Sequence, residues 1–126
     1  MQIVAALFAE TLDTEVAEGP STRLDIGGIR FSQVAPGPFP VTIDPHLFVI
    51  VRCAPGDEPD AVLEVRFLRD GEPVARNMQP IMVEPGKFAY RLVRAELEYP
   101  GPGTIEAHCA LDRGEPVVVP LTLLAP

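Results

Sequence analysis

Apolar and polar residues alternate along most of this chain, and turn-forming residues interrupt the alternation roughly every ten positions. Alternation with a period of two places successive side chains on opposite faces of a β-strand. The segment Val62–Arg69 shows this most clearly, with Leu63, Val65 and Phe67 on one face and charged residues on the other. The pattern predicts short antiparallel strands joined by tight turns.

About seven to eight strands are predicted, and the turn residues between them set their ends. The loop Glu18–Ser21 separates the first two strands, and Asp70-Gly71 predicts a two-residue hairpin because both central positions of a type I′ turn need positive φ. The segments with strand character are Gln2–Ala9, Arg23–Ser32, Val41–Cys53, Val62–Arg69, Glu72–Ala75, Ile81–Val83, Lys87–Tyr99, Thr104–Asp112 and Val117–Leu124.

The segment Lys87–Tyr99 fits two patterns. As a strand it needs a bend or bulge near Val93 to keep its apolar residues on one side. As a helix it would align Phe88, Leu92 and Tyr99 on one face. The strand is favoured because the rest of the chain predicts only strands.

Fifteen prolines and ten glycines in 126 residues argue against long helices. The sequence therefore predicts one all-β domain over residues 1–126, an immunoglobulin-like antiparallel sandwich of two sheets. Two features of antibody domains are absent, since the chain has no Trp and Ala107 stands where a tyrosine corner would place Tyr.

Two further features mark irregular places in the strands. The Gly27-Gly28 pair predicts a bulge or a close approach of another backbone, and it lacks the spacing of a phosphate-binding loop. Pro120 predicts that the last strand lies at a sheet edge or contains a bulge, because proline cannot donate a ladder hydrogen bond.

The order of several short motifs resembles a known group of proteins. The motifs are an apolar opening strand at Ile3–Phe8, the segment Leu24–Gly28, the proline-bounded entry Pro38–Pro40, the hairpin Leu68–Val74 and a late proline-glycine turn. Together they resemble a bacterial domain-of-unknown-function family of short single-domain cytoplasmic β-sandwich proteins. The resemblance implies the sandwich fold and carries no activity that can be transferred.

Net charge limits the classes of partner that the chain is expected to bind. Ten Lys and Arg against eighteen Asp and Glu give a net charge of −8, which argues against nucleic acid and acidic membranes as partners. The opening residues lack the basic region of a signal peptide, which predicts a cytoplasmic protein.

In a reducing cytoplasm Cys53 and Cys109 are expected as free buried thiols, with an immunoglobulin-type disulfide as the alternative. The two cysteines do not form a CxxC pair, and with His46 and His108 they lack the clustered spacing of a zinc site, so no metal or cofactor is predicted.

Candidate catalytic groups are sparse. Glu106 and His108 lie two residues apart on one strand face, where they would form half of an acid–base or metal site with Asp112 or Asp44. Neither His46 nor His108 has a nucleophile motif beside it, and charged residues on the outward face of a sheet need no functional explanation. The chain is therefore predicted not to be an enzyme.

Some strands carry more apolar residues than one buried face requires. The stretches Ile3–Phe8 and Leu47–Val51 are apolar on both faces, so a second surface should be covered. If Leu47, Val49 and Val51 face the core, Phe48 and Ile50 point outward. On the first strand either Ile3 and Leu7 or Val4 and Phe8 do the same. The residues predicted as contact anchors are Val4, Phe8, Phe48 and Ile50.

Two explanations of this apolar surplus follow. The favoured one is a non-enzymatic protein-interaction module, working as a homo-oligomer or as a subunit of a larger assembly. The other is that the loop Val34–Pro40 folds over the apolar face, or that isolated outward apolar residues are simply tolerated. A different function, binding of a carbohydrate or another small molecule through Phe39, Tyr90 and Tyr99, is the alternative, although aromatic residues are scarce at 6%.

Overall fold

The computed structural model describes residues 1–15, Gly19 and 23–126, so the predicted loop Glu18–Ser21 lies outside the described residues except for Gly19. In the described part of the chain the regular structure consists of eleven strands and no helix. The strands are β1 (Gln2–Glu15), β2 (Arg23–Ile29), β3 (Ser32–Val34), β4 (Val41–Ile43), β5 (His46–Arg52), β6 (Asp60–Arg69), β7 (Glu72–Met82), β8 (Phe88–Arg94), β9 (Leu97–Tyr99), β10 (Gly103–Leu111) and β11 (Val117–Leu124).

The strands form two main sheets that pack face to face. One has the order β2-β1-β5-β8, the other has the order β3-β11-β10-β6-β7, and β4 and β9 form a small pair of their own. Strand β1 packs against β10 and β11 of the opposite sheet. In chain order, β1, β5 and β8 occupy the places of strands A, B and E of an immunoglobulin domain, and β6, β10 and β11 those of C, F and G. The predicted immunoglobulin-like sandwich is confirmed.

The strand count exceeds the prediction because bends divide two long segments between sheets, and because Ser32–Val34 forms a separate short strand, β3. The predicted strand Val41–Cys53 is interrupted at Asp44 and Pro45, after which the chain leaves the β4–β9 pair and enters the four-stranded sheet as β5. The segment Lys87–Tyr99 is divided in the same way into β8 and β9. Its strand interpretation is confirmed, and so is the bend that this interpretation required.

The predicted hairpin at Asp70-Gly71 is also confirmed, with φ of 51° and 79° at its two residues. The returning strand β7 is longer than predicted and absorbs the segment that had been assigned to a separate short strand. Strand β11 lies inside its sheet, but β3 pairs only with its last three residues. Pro120 therefore lies where β11 has no described partner on that side, which avoids the lost hydrogen bond.

The Gly27-Gly28 pair allows a close approach of β1 side chains. The pairing of β1 with β2 keeps one register on both sides of the glycines, so no bulge is present. Gly28 has a φ of 68°, and a Cβ atom there would lie 2.8 Å from Cγ of Glu10. A Cβ on Gly27 would lie 2.8 Å from Oγ1 of Thr11. The neighbours that demand glycine are therefore side chains of β1 and not the backbone that was predicted.

The core lies between the two main sheets and contains no buried charged residue among those described. The Tyr99 hydroxyl donates a 2.8 Å hydrogen bond to the Leu121 carbonyl oxygen, and burial raises the pKa of Tyr99 to about 12. Cys53 and Cys109 are free buried thiols, and burial raises the pKa of Cys109 to about 12. The largest fully buried side chains are Tyr99, Phe8, Phe67, Leu47, Leu63, Ile81, Leu97, Ile105, Leu121, Leu123, Val49 and Val51.

Candidate functional site: an apolar face on the four-stranded sheet

The outward side of the four-stranded sheet is lined by apolar side chains, and we call it the apolar face. Directly opposed residues in antiparallel strands share a face of the sheet, so the register identifies its members. Leu7 on β1 lies opposite Phe48 on β5, and Phe48 lies opposite Leu92 on β8. The outward apolar residues of the sheet are Ala5, Leu7 and Ala9 on β1, Ile29 on β2, Phe48 and Ile50 on β5, and Phe88, Tyr90 and Leu92 on β8.

The apolar face is solvent-accessible at both of its sides. Ile29 is 44% exposed on one side, and Leu92 and Phe88 are 41% and 62% exposed on the other. Charged groups lie at the two ends of β5 and β8, where Arg52 is opposite Phe88, and Arg94 is opposite His46. The result is an apolar surface with a polar rim, the arrangement typical of contact surfaces between proteins.

The two predicted anchors on β5 do point outward, but they differ in accessibility. Leu47, Val49 and Val51 are buried in the core, so Phe48 and Ile50 occupy the opposite face as expected. Phe48 is nevertheless only 4% exposed, with Leu7 and Leu92 on either side of it and the His46 ring in an edge contact at 6.3 Å between centroids. Phe48 is thus the floor of the apolar face, and Ile50 is half-buried beside it.

The structure corrects the assignment on β1. The register shifts between Ile3 and Ala5, so Val4 is the extra residue of a bulge and is 51% exposed. Phe8 lies opposite the core residue Leu47 and is 2% exposed, which removes it from the predicted contact surface. The prediction placed Val4 and Phe8 on the same face, which holds only for a strand without a bulge. The extra residue Val4 shifts the alternation, so Phe8 faces the core.

The loop Val34–Pro40 does not shield the apolar face. It begins at β3 in the opposite sheet, and the Ala35 amide donates a 2.9 Å hydrogen bond to the Leu124 carbonyl oxygen of β11. Ala35 is buried in the core, and Phe39 packs against it. The exposed fractions of Ile29 and Leu92 show that the face stays open.

The outward side of the five-stranded sheet has a different composition, and we call it the charged face. Glu64 on β6 accepts a 2.7 Å hydrogen bond from Arg76 on β7. On β10 and β11 the hydroxyls of Thr104 and Thr122 lie 2.7 Å apart. Arg66 on β6 is exposed, opposite His108 on β10 and Arg76 on β7. The charged face also has exposed apolar members, among them Met78 and Val118, and polar residues of β6 and β10 lie between these two.

The candidate acid–base group lies on the charged face but is incomplete. Nε2 of His108 is 3.4 Å from a carboxylate oxygen of Glu106, so these two residues do meet. Asp112 lies in the turn after β10, where its Oδ1 accepts a 2.8 Å hydrogen bond from the Val62 amide. Neither Asp112 nor Asp44 joins the pair, and the described residues contain no cluster of three metal-binding side chains.

A small polar cavity lies at one end of the sandwich, and sequence reasoning did not identify it. It holds about 220 Å³ and is lined by Glu10, Arg30, Asp44 and His46, among others. Arg30 pairs with Glu10, and Asp44 pairs with Arg94 and raises its pKa. The cavity is below the roughly 300 Å³ at which ligand pockets begin, and its described charges are already paired.

The three aromatic residues considered for ligand binding lie in separate environments. The Tyr99 ring is fully buried in the core, Tyr90 lies on the apolar face, and Phe39 packs against the core from the proline-rich loop. None of them lines the polar cavity. They do not form a common stacking surface for a sugar.

Comparison with known proteins adds no identification: no family model matches the chain, and no curated protein matches it. Among the described residues, none forms a helix with the length and apolar character that crossing a membrane requires. The apolar face is therefore the feature on which a functional proposal depends.

Proposed function

We propose that this protein is a non-enzymatic module that acts by protein contact through its apolar face. The observation that carries the proposal is a row of outward apolar residues, from Ile29 and Leu7 over the buried floor residue Phe48 to Leu92, whose outer members Ile29 and Leu92 are 44% and 41% exposed. Soluble proteins rarely expose contiguous apolar patches of more than a few hundred Å² unless a partner binds there.

The energy available at this face supports a contact role. Burying one large apolar side chain is worth about 1.5–3 kcal/mol relative to leaving it exposed. Phe88, Leu92 and Ile29 are each at least 41% exposed, and Tyr90 and Ile50 are half-buried. Even with partial burial, five such side chains contribute several kcal/mol before the costs of association.

The shape and chemistry of the face also favour a protein over a small molecule. Small ligands need pockets that enclose most of their surface, whereas the exposed apolar residues of this face lie on the outer side of a sheet. The exposed aromatic and aliphatic groups Phe88, Tyr90 and Leu92 lie on one strand, where they act as adjacent anchors.

Site-specific photo-crosslinking in cells of the source organism tests the proposal. A photoreactive residue at Leu92, on the apolar face, should give a discrete adduct with a protein of defined mass. The matched control is the same residue at Arg66, which is exposed on the charged face. Equal adducts from both positions, or none from Leu92, would overturn the proposal.

A further inference from the structure

Four strands form the outer edges of the two main sheets, and three of them are blocked. Strand β2 contains Gly28 with positive φ, and β3 is only three residues long. In β7 the Val83 amide donates to the Pro59 carbonyl oxygen on the β6 side, so alternation directs the backbone of Pro80 to the free edge, where proline has no donor. These are devices that prevent edge pairing.

Strand β8 has none of these three features, although it carries the charged residue Arg91 on its inner side. It has seven residues, FAYRLVR, with no proline or glycine, and in the described part of the chain only β5 pairs with it. In an immunoglobulin sheet of order A-B-E-D, a strand D pairs with E on this side. Here the fourth strand of the sheet is β2, on the far side of β1, and none of the described strands occupies the D position beside β8.

The backbone groups at this edge can be assigned from the register. The Cys53 amide donates to the Lys87 carbonyl oxygen at 3.0 Å, so Lys87 faces β5. Alternation then directs the backbone N–H and C=O of Phe88, Tyr90 and Leu92 to the free edge. These are the residues whose side chains belong to the apolar face.

We propose that β8 pairs with β8 of a second copy of this chain, in an antiparallel register centred on Tyr90. This inference rests on the proposed function, because it names a partner for the chain, but the contact is the edge of the sheet and it leaves the apolar face itself exposed. In that register each copy's Phe88 faces the other's Leu92, Tyr90 faces Tyr90, and Ala89 faces Arg91 on the inner side. About six backbone hydrogen bonds form, and the two apolar faces join into one sheet surface.

Self-pairing is favoured because the strand is complementary to itself in this register. The register centred on Arg91 would bring two guanidinium groups together, which is unfavourable, and an odd shift would place outward side chains beside inward ones. A two-fold axis at Tyr90 also closes the assembly as a dimer, so no open chain of copies forms.

One side chain opposes the pairing. The Arg91 guanidinium donates a 2.9 Å hydrogen bond to the Tyr90 carbonyl oxygen, which is the central acceptor of the free edge. Pairing must displace this hydrogen bond, and one strand edge buries less area than a standard interface of about 1,600 Å². The dimer is therefore weak, with dissociation between about 10 μM and 1 mM.

Sedimentation equilibrium with two complementary variants tests the register. Phe88→Glu and Leu92→Lys each replace an exposed side chain, so each variant keeps the fold. Each alone should weaken the dimer at least about tenfold, because it places a charge opposite an apolar residue of the other copy. Mixed in equal amounts they should recover association, because the register sets the new carboxylate opposite the new ammonium. A mixture no better than either variant alone would overturn the register.

A second pair of variants tests the edge itself. Tyr90→Pro removes an N–H that faces solvent and should abolish association, whereas Met78→Pro, at a matching free-edge position of β7, should leave it unchanged. A wild-type chain that stays monomeric to about 1 mM, or a dimer indifferent to Tyr90→Pro, would overturn the inference. If a monomeric chain still gives a crosslink from Leu92 to a different protein, the proposed function stands and only the second copy is excluded.

Discussion

The apolar face and the charged face belong to sheets that share one core, yet they present opposite surfaces to solvent. On the charged face, Glu64 and Arg76 pair with each other, and polar residues lie between apolar ones such as Met78 and Val118. On the apolar face, Leu7, Phe48 and Leu92 form an unbroken row across three strands. An antiparallel sheet needs only one apolar side to fold. The second apolar side therefore calls for an explanation outside the isolated chain.

The largest expected difference between the two faces is in the free energy of unfolding that is lost when one outward side chain on each is truncated to alanine. Phe48→Ala should lower the free energy of unfolding by about 3–5 kcal/mol, because Phe48 is as buried as a core residue although it lies on the outer side. Arg66→Ala, at an exposed position of the charged face, should change it by less than about 0.5 kcal/mol. Urea denaturation measures both, and equal losses would contradict the contrast between the faces.

The free energy of unfolding should fall at high pH, because two groups in the core between the sheets lose their protons there. The pKa of Cys109 rises from 9.0 to about 12 and that of Tyr99 from 10.0 to about 12, so folding favours the protonated form of each. Their stabilising contribution is complete below about pH 9 and is lost as the pH rises toward 12, a loss on the order of a few kcal/mol.

Thermal unfolding between pH 8 and pH 11.5 measures this loss. Cys109→Ala lowers stability at neutral pH by leaving a small cavity, but it should flatten the decline above pH 9. An equally steep decline in wild type and variant would show that Cys109 does not contribute to it.

Salt concentration should have the smallest effect on association, and the direction of the change shows which of the two faces associates. Each copy carries a net charge of −8, so two copies repel each other at long range. Raising NaCl from about 50 to 500 mM should strengthen an apolar contact several-fold by screening that repulsion. Association through the ion pairs of the charged face would weaken instead, which sedimentation equilibrium distinguishes.

Much of the fold could be predicted because period-two alternation and turn chemistry are local signals. The Asp70-Gly71 turn and the final strand Val117–Leu124 follow directly from such signals, and both have the predicted position. The division of Val41–Cys53 between the β4–β9 pair and the four-stranded sheet could not be predicted, because it depends on which strands pair with β4 and β5.

The candidate site could be predicted only in part, for the same reason. The excess of apolar residues pointed to β1 and β5, which pair in one sheet, and parity placed Phe48 and Ile50 on its outer side. The bulge at Val4 has no local signal such as glycine, so the interior position of Phe8 was missed. Leu92 and Phe88 were missed as anchors because their place beside β5 follows from long-range pairing.

The ratio of crosslinking yields from Leu92 and Arg66 tests the central claim most directly, because both positions are exposed on sheets of the same molecule. If the apolar face is the contact surface, the position on β8 should yield a discrete protein adduct at about ten times the level from β6 or more, and Leu92→Lys in place of the crosslinker should remove the partner. Equal yields from the two faces would contradict the account.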